Sequence, residues 1–408
     1  MKKTDTVLLV ATMDTKAGEA FFVKESLNKE GVTVLIMDAG IKGESPVPVD
    51  ITRDEVAEAA GTSINKVQDM GHEGRSLDLM ISGAIKTAAQ LHQKGEIKGI
   101  IGLGGSMGTN LGTSVMRTFP IGFPKVMIST MASRDTRPFV GTRDILMLHS
   151  VCDLSGLNRI TRKVLREGAL ALAGMVKGER AATDHEPPLA VVSTLGTTEA
   201  CLRAVRQAIE ARGMEVVTFH TVGSGGEAMD ELIREEEVEL VVDLSLHELV
   251  DHLFGGDYDA GPERGTAALQ KGVPTVLVPG NTDFMATGPL ALAMEQYPGR
   301  RAHAHNSAIS AVGTDAGDMK KLAALLSRMC AKTRGPVGMV VPMGGFSAFD
   351  SPDGPMEAPE IRKAFAEGFK AALPPGIRYM ESRHHINDPE FAMTIMDCVD
   401  LLLETGAA

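Results

Sequence analysis

The sequence predicts an α/β protein of two Rossmann-like lobes, each a doubly wound parallel sheet, facing a cleft. Three observations predict it. Short apolar runs alternate with amphipathic helical stretches along the 408 residues, the pattern of parallel sheets covered on both faces. A polar stretch at 177–188, KGERAATDHEPP, ends in two prolines, and the rhythm then restarts. The two halves also overlay. At an offset of 182, VLLVATMDTKAGEA lies over LAVVSTLGTTEACL, matching Thr12 with Thr194, Thr15 with Thr197, Gly31 with Gly213 and Val34 with Val216. Common descent and convergence of two βαβ units both account for that match. The first lobe is therefore set at 1–180 and the second at 188–408, with 177–188 as linker, and each lobe is long enough for its own core.

In the first lobe a strand is expected over 6–12, a helix over 17–30 closed by Gly31, and a strand over 32–38. Residues 40–72, with their prolines and polar side chains, read as irregular. A helix over 77–94, a strand over 97–103, a helical stretch over 111–118 and a strand over 125–130 follow. Leu157, Ile160, Val164, Leu165, Leu172 and Met175 recur at helical spacing and predict a long helix over 155–176. The second lobe shows strands over 189–194, 214–220, 239–244 and 274–279, weaker ones over 337–343 and 377–380, and a helix over 198–212 closed by Gly213.

Composition excludes several classes. The net charge of −12 argues against a nucleic-acid or anionic-membrane surface. The chain has no Trp and three Tyr, too few for a base-stacking platform. No apolar run approaches the ~20 residues of a membrane span, and 7–10 is too short for a signal core. Cys152, Cys201, Cys330 and Cys398 show no CxxC spacing and read as reduced core thiols, so a cytoplasmic location is expected. The 23 methionines read as core filler, and the acidic run at 227–239 as a solvated helix face.

The most informative stretch is Gly104-Gly105-Ser106-Met107-Gly108-Thr109, between a buried strand and a helix. Glycines there let backbone N–H groups approach an anion, and the helix N-terminus adds partial positive charge. In the common strand order 2-1-3-4-5, ligands sit between the first and third strands. That places Thr12-Met13-Asp14-Thr15-Lys16 beside the glycine loop. Amides and Lys16 would meet phosphate oxygens, and Ser/Thr hydroxyls with Asp14 would meet Mg²⁺ or its waters. Residues 125–166 carry Lys125, Arg134, Arg137, Arg143, Arg159, Arg162, Lys163 and Arg166 against three aspartates, and Arg134 and Arg137 are candidate phosphate clamps. Asp38 ends the second strand, where a ribose-binding acid is placed in Rossmann folds. The loop is neither a Walker A box nor a GxGxxG fingerprint.

These motifs carry a resemblance. The run GGSMGTNLGTSVMRTFPIGFPKVMISTMASRDTRPFVGTRDI, then LSGLNRI, resembles the ATP-binding family typified by the N-terminal region of the tomato mosaic virus resistance protein. ATMDTKAGE, AGPERG and HHINDPEFA match as well, so the resemblance spans essentially the whole chain. It implies two Rossmann-like subdomains, with ATP bound by the first through the glycine loop. On the matching motifs it carries Asp14, Lys16, Gly104, Gly105, Ser106, Gly108 and Thr109, and from the motif that follows Thr130, Arg134, Asp135, Thr136 and Arg137. The family loop usually reads Gly-Gly-Ser-Gly-Gly-Thr; Met107 here replaces the middle glycine.

The second half has its own loop, Gly223 to Gly226, and a scatter of polar residues near expected strand ends: Glu248, Arg264, Asp283, His305, Asn306, His385, Asn387 and Asp388. Of these, His385, Glu248, Arg264 and Asp283 are the catalytic candidates: a base, two acids and a carboxylate-binding guanidinium. His247-Glu248…His252 is one residue too long for HExxH, and His303 and His305 lack an evident third ligand, so no metal site is assigned. The expected function is ATP–Mg²⁺ binding by a two-lobed protein acting on a small polar or acidic metabolite, as a homo-oligomer. Two alternatives stand: a nucleotide-responsive interaction module without turnover, and a lyase or hydrolase in the second lobe with regulatory nucleotide.

Overall fold

The computed structural model describes residues 5–178 and 186–406. The chain divides into two compact units, 1–182 and 183–408, and both are α/β with Rossmann-like parallel sheets. Residues 179–185 of the expected linker lie outside the described residues. No helix among the described residues is long and apolar enough to cross a membrane.

In the first unit β1 (Thr6–Ala11) runs into α1 (Met13–Lys29) and returns as β2 (Thr33–Asp38). Next come α2 (Arg53–Ala59), α3 (Ile64–Asp69), α4 (Glu73–Gln93), β3 (Ile100–Gly104), α5 (Ser106–Met116) and β4 (Lys125–Ser129). Then α6 (Arg137–Val140), β5 (Leu146–His149) and α7 (Thr161–Lys177) close the unit. The parallel strands lie in the order β2-β1-β3-β4-β5, the expected arrangement with its reversal between β1 and β3. Val7, Leu9 and Ala11 of β1 pack with α1 and α7, whereas Leu8 and Val10 pack with α4 and α5. A strand apolar on both faces must be covered on both, and this one is.

Three local expectations are corrected. Residues 40–72 are irregular only as far as Thr52: Met37 bridges Ile51 as the chain returns to the sheet, and Thr52 and Glu55 form a capping box that starts α2, with α3 after it. The helix expected over 111–118 starts at Ser106, because the glycine-rich stretch forms its first turn. The helix expected from 155 starts at Thr161, because Asn158 Oδ1 accepts the Ile160 and Thr161 amides and holds a turn just before it.

The second unit has β6 (Leu189–Thr194), α8 (Glu199–Glu210), β7 (Glu215–His220), α9 (Ser224–Glu235) and β8 (Val238–Ser245). They are followed by α10 (His247–Phe254), α11 (Thr266–Lys271), β9 (Thr275–Gly280), β10 (Phe284–Thr287), α12 (Leu290–Gln296), β11 (Ala302–Ala304) and β12 (Ser310–Gly313). The unit ends with α13 (Ala316–Cys330), β13 (Val337–Pro342), α14 (Pro359–Ala371), β14 (Arg378–Ser382) and α15 (Pro389–Gly406). Its parallel sheet has the order β14-β13-β9-β8-β6-β7, and β10, β12 and β11 form a small antiparallel sheet. Read from β7, the large sheet repeats the first unit's strand order and adds a sixth strand. Helices α8 and α15 cover one face, and α13 and α14 lie on the other. The acidic run is not wholly solvated, a further correction: Asp230 of α9 is buried and accepts the Gly265 and Ala267 amides at the start of α11.

Candidate functional site

Two helices begin side by side at the carboxyl edge of the first sheet. Strand β1 ends at Ala11 and α1 starts at Met13; its neighbour β3 ends at Gly104 and α5 starts at Ser106. Between them lies a cavity of ≈ 280 Å³ lined by Thr12, Asp14, Thr15, Lys16, Gly104, Gly105, Ser106, Met107 and Gly108, with Ile41, Lys42 and Glu73. The two sequence-distant turns therefore meet at the switch point. Neither N-cap residue, Thr12 or Gly105, caps its own helix by a side chain, although the Asp38 carboxylate accepts the first amide of α1. The amides of Ser106, Met107 and Gly108 have no partner among the described residues. The open amides at the head of α5, beside the start of α1, favour an anion.

The lining side chains add charge. Lys16 forms no ion pair among the described residues, so its ammonium is open to a ligand. Lys42 pairs with Glu73 on the rim, both largely exposed, so solvent screens the pair. Asp14 Oδ2 accepts the Lys42 amide at 3.1 Å and the Gly43 amide at 3.3 Å, tying residues 40–43 to α1. Asp14 Oδ1 is buried without a hydrogen-bond partner among the described residues. Lys42 escaped the sequence reading because 40–72 looked irregular; the available signal was Gly40-Ile-Lys-Gly43 directly after the second strand.

The glycines have separate roles. A Cβ on Gly104 would sit 2.8 Å from the Gly108 Cα, and one on Gly108 would sit 3.0 Å from the Leu103 carbonyl oxygen. Those two are glycine because α5 packs tightly on β3. A Cβ on Gly105 would meet only Thr130 Oγ1, at 3.8 Å, so Gly105 alone leaves its space to the cavity. None of the three has positive φ, which is why Met107 can stand beside them in the helix.

Several candidates fall outside the cavity and are corrected. The Asp38 carboxylate is buried and accepts the Met13 amide at 3.0 Å and the Gly40 amide at 2.8 Å, so it braces the turn and does not face a ribose. Burial raises its pKa against those two amides, which lower it. Thr109 is buried and bonded to Ser129 at 2.6 Å. Thr130 starts a 3₁₀ turn beside Gly105 without lining the cavity. Arg134, Asp135, Thr136 and Arg137 lie after β4 and do not line it either; Arg137 is 84% exposed and pairs with Asp135 at 2.9 Å.

The catalytic candidates of the second unit are built into its framework. Arg264 forks onto Asp243 at 2.7 and 2.8 Å and onto Glu248 at 2.6 Å, and all three are buried. Glu248 also accepts the Gly223 and Gly226 amides at 2.7 and 2.9 Å. Burial alone would lower the Arg264 pKa, but Asp243 and Glu248 hold it well above the ordinary value. This knot ties the Gly223–Gly226 turn to β8 and α11, and it is sealed from substrate. Asp283 is buried, accepts the Ser347 hydroxyl at 2.7 Å, and has its pKa pushed up to about 7 by burial and by the charge of Asp350. His385 has both ring nitrogens engaged: Nδ1 accepts the Asn387 amide at 3.1 Å and Nε2 donates to the Ser347 carbonyl at 2.8 Å. It has no free nitrogen for use as a base. Asn306 closes a turn onto Ala308 and Ile309, and Asn387 bonds the Thr197 carbonyl. Of the second-half candidates, His305 lines a cavity, with Thr197, His220, Tyr258, Phe284 and Phe349, which the sequence reading missed.

Fold and site together define a two-unit α/β protein with an anion-ready turn pair on its first sheet. The chain belongs to the Uncharacterised protein family (UPF0261): the N-terminal domain of that family matches residues 5–181 and the C-terminal domain matches 187–403. A UPF0261 protein of Clostridium tetani is 34% identical over 95% of this chain and 96% of its own. The ToMV susceptible protein tm-1(GCR26) and the ToMV resistance protein Tm-1(GCR237) of Solanum lycopersicum are each 32% identical over 96% of this chain, which spans 55% of their length. Among solved structures, a Streptomyces glycosyltransferase complexed with thymidine diphosphate aligns over 67% of this chain and 82% of its own, at 11% identity and a TM-score of 0.19. That likeness is too low to carry an argument.

Proposed function

We propose that the first unit binds ATP with Mg²⁺ at the paired turns. The observation that carries the reading is the meeting of the open amides at the head of α5 with Lys16 of α1, which forms no ion pair among the described residues. The amides of Ser106, Met107 and Gly108 and the Lys16 ammonium would take phosphate oxygens. Lys42 could leave its exposed partner Glu73 for a phosphate at little cost.

The donor set also fits Mg²⁺. Asp14 is one carboxylate on the lining, and Thr12, Thr15 and Ser106 add hydroxyls. Mg²⁺ keeps several waters and uses one or two carboxylates beside phosphate oxygens, so a sparse set suits it. Two lysines against two carboxylates leave the cavity near neutral. A divalent cation would supply the remaining neutralisation of a triphosphate. The base ATP, as against another nucleoside, rests on the family resemblance.

Calorimetric titration with Mg-ATP tests the reading. Wild-type protein should bind with saturable heat, and Lys16→Ala should lose about tenfold in affinity, about 1.4 kcal/mol. No binding by the wild-type chain, or unchanged binding by Lys16→Ala, would reject it.

A further inference from the structure

The second unit has a cavity of ≈ 310 Å³ that the nucleotide reading does not use. One side is the carboxyl edge of the large sheet: Gly196 and Thr197 in the turn after β6, and His220 at the end of β7. The other side is one face of the small antiparallel sheet. Its register pairs Ala311 with Ala286 and with His303, and Phe284 lies two residues before Ala286, so these residues share that face. His305, two residues past His303, stays on it, and both rings meet Phe349, at 6.3 and 5.1 Å. Phe349 tilts against Phe284 at 5.3 Å, and both line the cavity. Tyr258 is held at the wall by its amide, which donates to buried Asp251 at 2.9 Å.

These walls combine flat apolar surface with hydrogen-bond donors. The Gly196 and Thr197 amides have no partner among the described residues. Asn281 donates its side-chain amide to the Thr197 oxygen, which leaves the Thr197 hydroxyl hydrogen for a ligand. Burial, with the charges of Asp251 and Asp257, raises the Tyr258 pKa, so its phenol keeps its proton and can donate as well. His220 and His305 are exposed at the cavity, form no ion pair among the described residues, and can each bring a proton to an anion. No Asp or Glu of the described residues lines the cavity to repel one, and no Lys or Arg lines it to balance a phosphate dianion. A carboxylate suits that set, with a single charge and two oxygens for several donors. The rings of Tyr258, Phe284 and Phe349 suit an aromatic body. We infer that this cavity binds a small aromatic monocarboxylate, its carboxylate toward Thr197 and the two histidines and its ring among Tyr258, Phe284 and Phe349.

Benzoate is the probe, titrated into the full chain and followed by ligand-observed saturation-transfer NMR. Benzamide removes the charge, cyclohexanecarboxylate removes the aromatic plane, and phenyl phosphate enlarges the charge. Benzoate should bind wild-type protein more tightly than each of the other three. His220 and His305 are exposed, so the double variant His220→Gln, His305→Gln should melt like wild type. It should bind benzoate about tenfold more weakly and benzamide as wild type does. A Cβ on Gly196 meets nothing within 4 Å, so Gly196→Leu fills the turn side without a clash and should also weaken benzoate about tenfold. Lys16→Ala, in the first unit's cavity, should leave benzoate binding unchanged. Absence of benzoate binding, equal or tighter binding of any of the other probes, wild-type benzoate affinity in both second-unit variants, or its loss in Lys16→Ala would overturn the inference. None of these probes is a nucleotide, so failure of the Mg-ATP titration leaves the inference standing.

Discussion

Adjacent glycines at the head of α5 should respond to the same substitution in opposite ways. In Gly104→Ala the new Cβ lies 2.8 Å from the Gly108 Cα, against a normal carbon–carbon separation of about 3.5–4.0 Å. Helix α5 must back away from β3, and overpacking of this kind costs about 1–3 kcal/mol. In Gly105→Ala the nearest atom is Thr130 Oγ1 at 3.8 Å, an ordinary contact, and φ is −80°. Its stability should stay within about 0.5 kcal/mol of wild type, or rise slightly as the unfolded chain loses freedom. The methyl group nonetheless enters the space beside the open amides of Ser106–Gly108. Differential scanning calorimetry of both variants, paired with Mg-ATP titration, reads both effects. Gly104→Ala should lower the first unit's transition by several degrees, at about 2–4 °C per kcal/mol. Gly105→Ala should melt like wild type and bind Mg-ATP about tenfold more weakly. Equal destabilisation by the two, or wild-type nucleotide affinity in Gly105→Ala, would refute the division of roles.

Three further outcomes are expected. Glu248→Gln should destabilise the second unit by about 3–5 kcal/mol in denaturant unfolding, because it leaves the buried Arg264 short of a charge; a carboxylate serving catalysis alone would leave the midpoint unmoved. Asp283, with its pKa raised to about 7 from an unfolded value of about 3.9, keeps in the folded state a proton that the unfolded chain has released. Its contribution to stability is present below pH ~4 and lost as pH rises through ~7, so Asp283→Asn should flatten the fall in melting temperature across that window. Burial raises the thiol pKa of Cys201, of Cys330 to about 12 and of Cys398 to about 11, so these three should resist a thiol reagent in native protein, while the less buried Cys152 reacts. Unfolding should release all four; rapid native labelling of the buried three would count against the packing described.

The first sheet was legible because its strands are nearly all apolar and bounded by glycine, and because strand order follows from connection rules. The pairing of residues 12–16 with 104–108 came from that order, since both turns must lie at carboxyl ends of neighbouring strands. What failed was side-chain direction. Thr109 and Ser106 both sit in the first turn of α5, yet one points into the β4 contact and the other lines the cavity. Asp38 stands where a ribose acid is placed in related folds, but the tight turn at Met13 claims its carboxylate. Arg264 lies 16 residues from Glu248 and 21 from Asp243, and spacing cannot tell a buried ion knot from an open site. Strand β5 is half exposed and short, and the three-stranded antiparallel sheet is built from strands of three or four residues, so periodicity gave no signal for either. The aromatic walls of the second cavity come from Tyr258, Phe284 and Phe349, which share no local pattern.

A crystal structure of the chain grown with Mg²⁺ and a non-hydrolysable ATP analogue measures the main proposition most directly. Phosphate oxygens should lie within hydrogen-bonding distance of the Ser106, Met107 and Gly108 amides, with the Lys16 ammonium beside them and the metal toward Asp14. Triphosphate density elsewhere on the chain, with those three amides facing only solvent, would contradict the account.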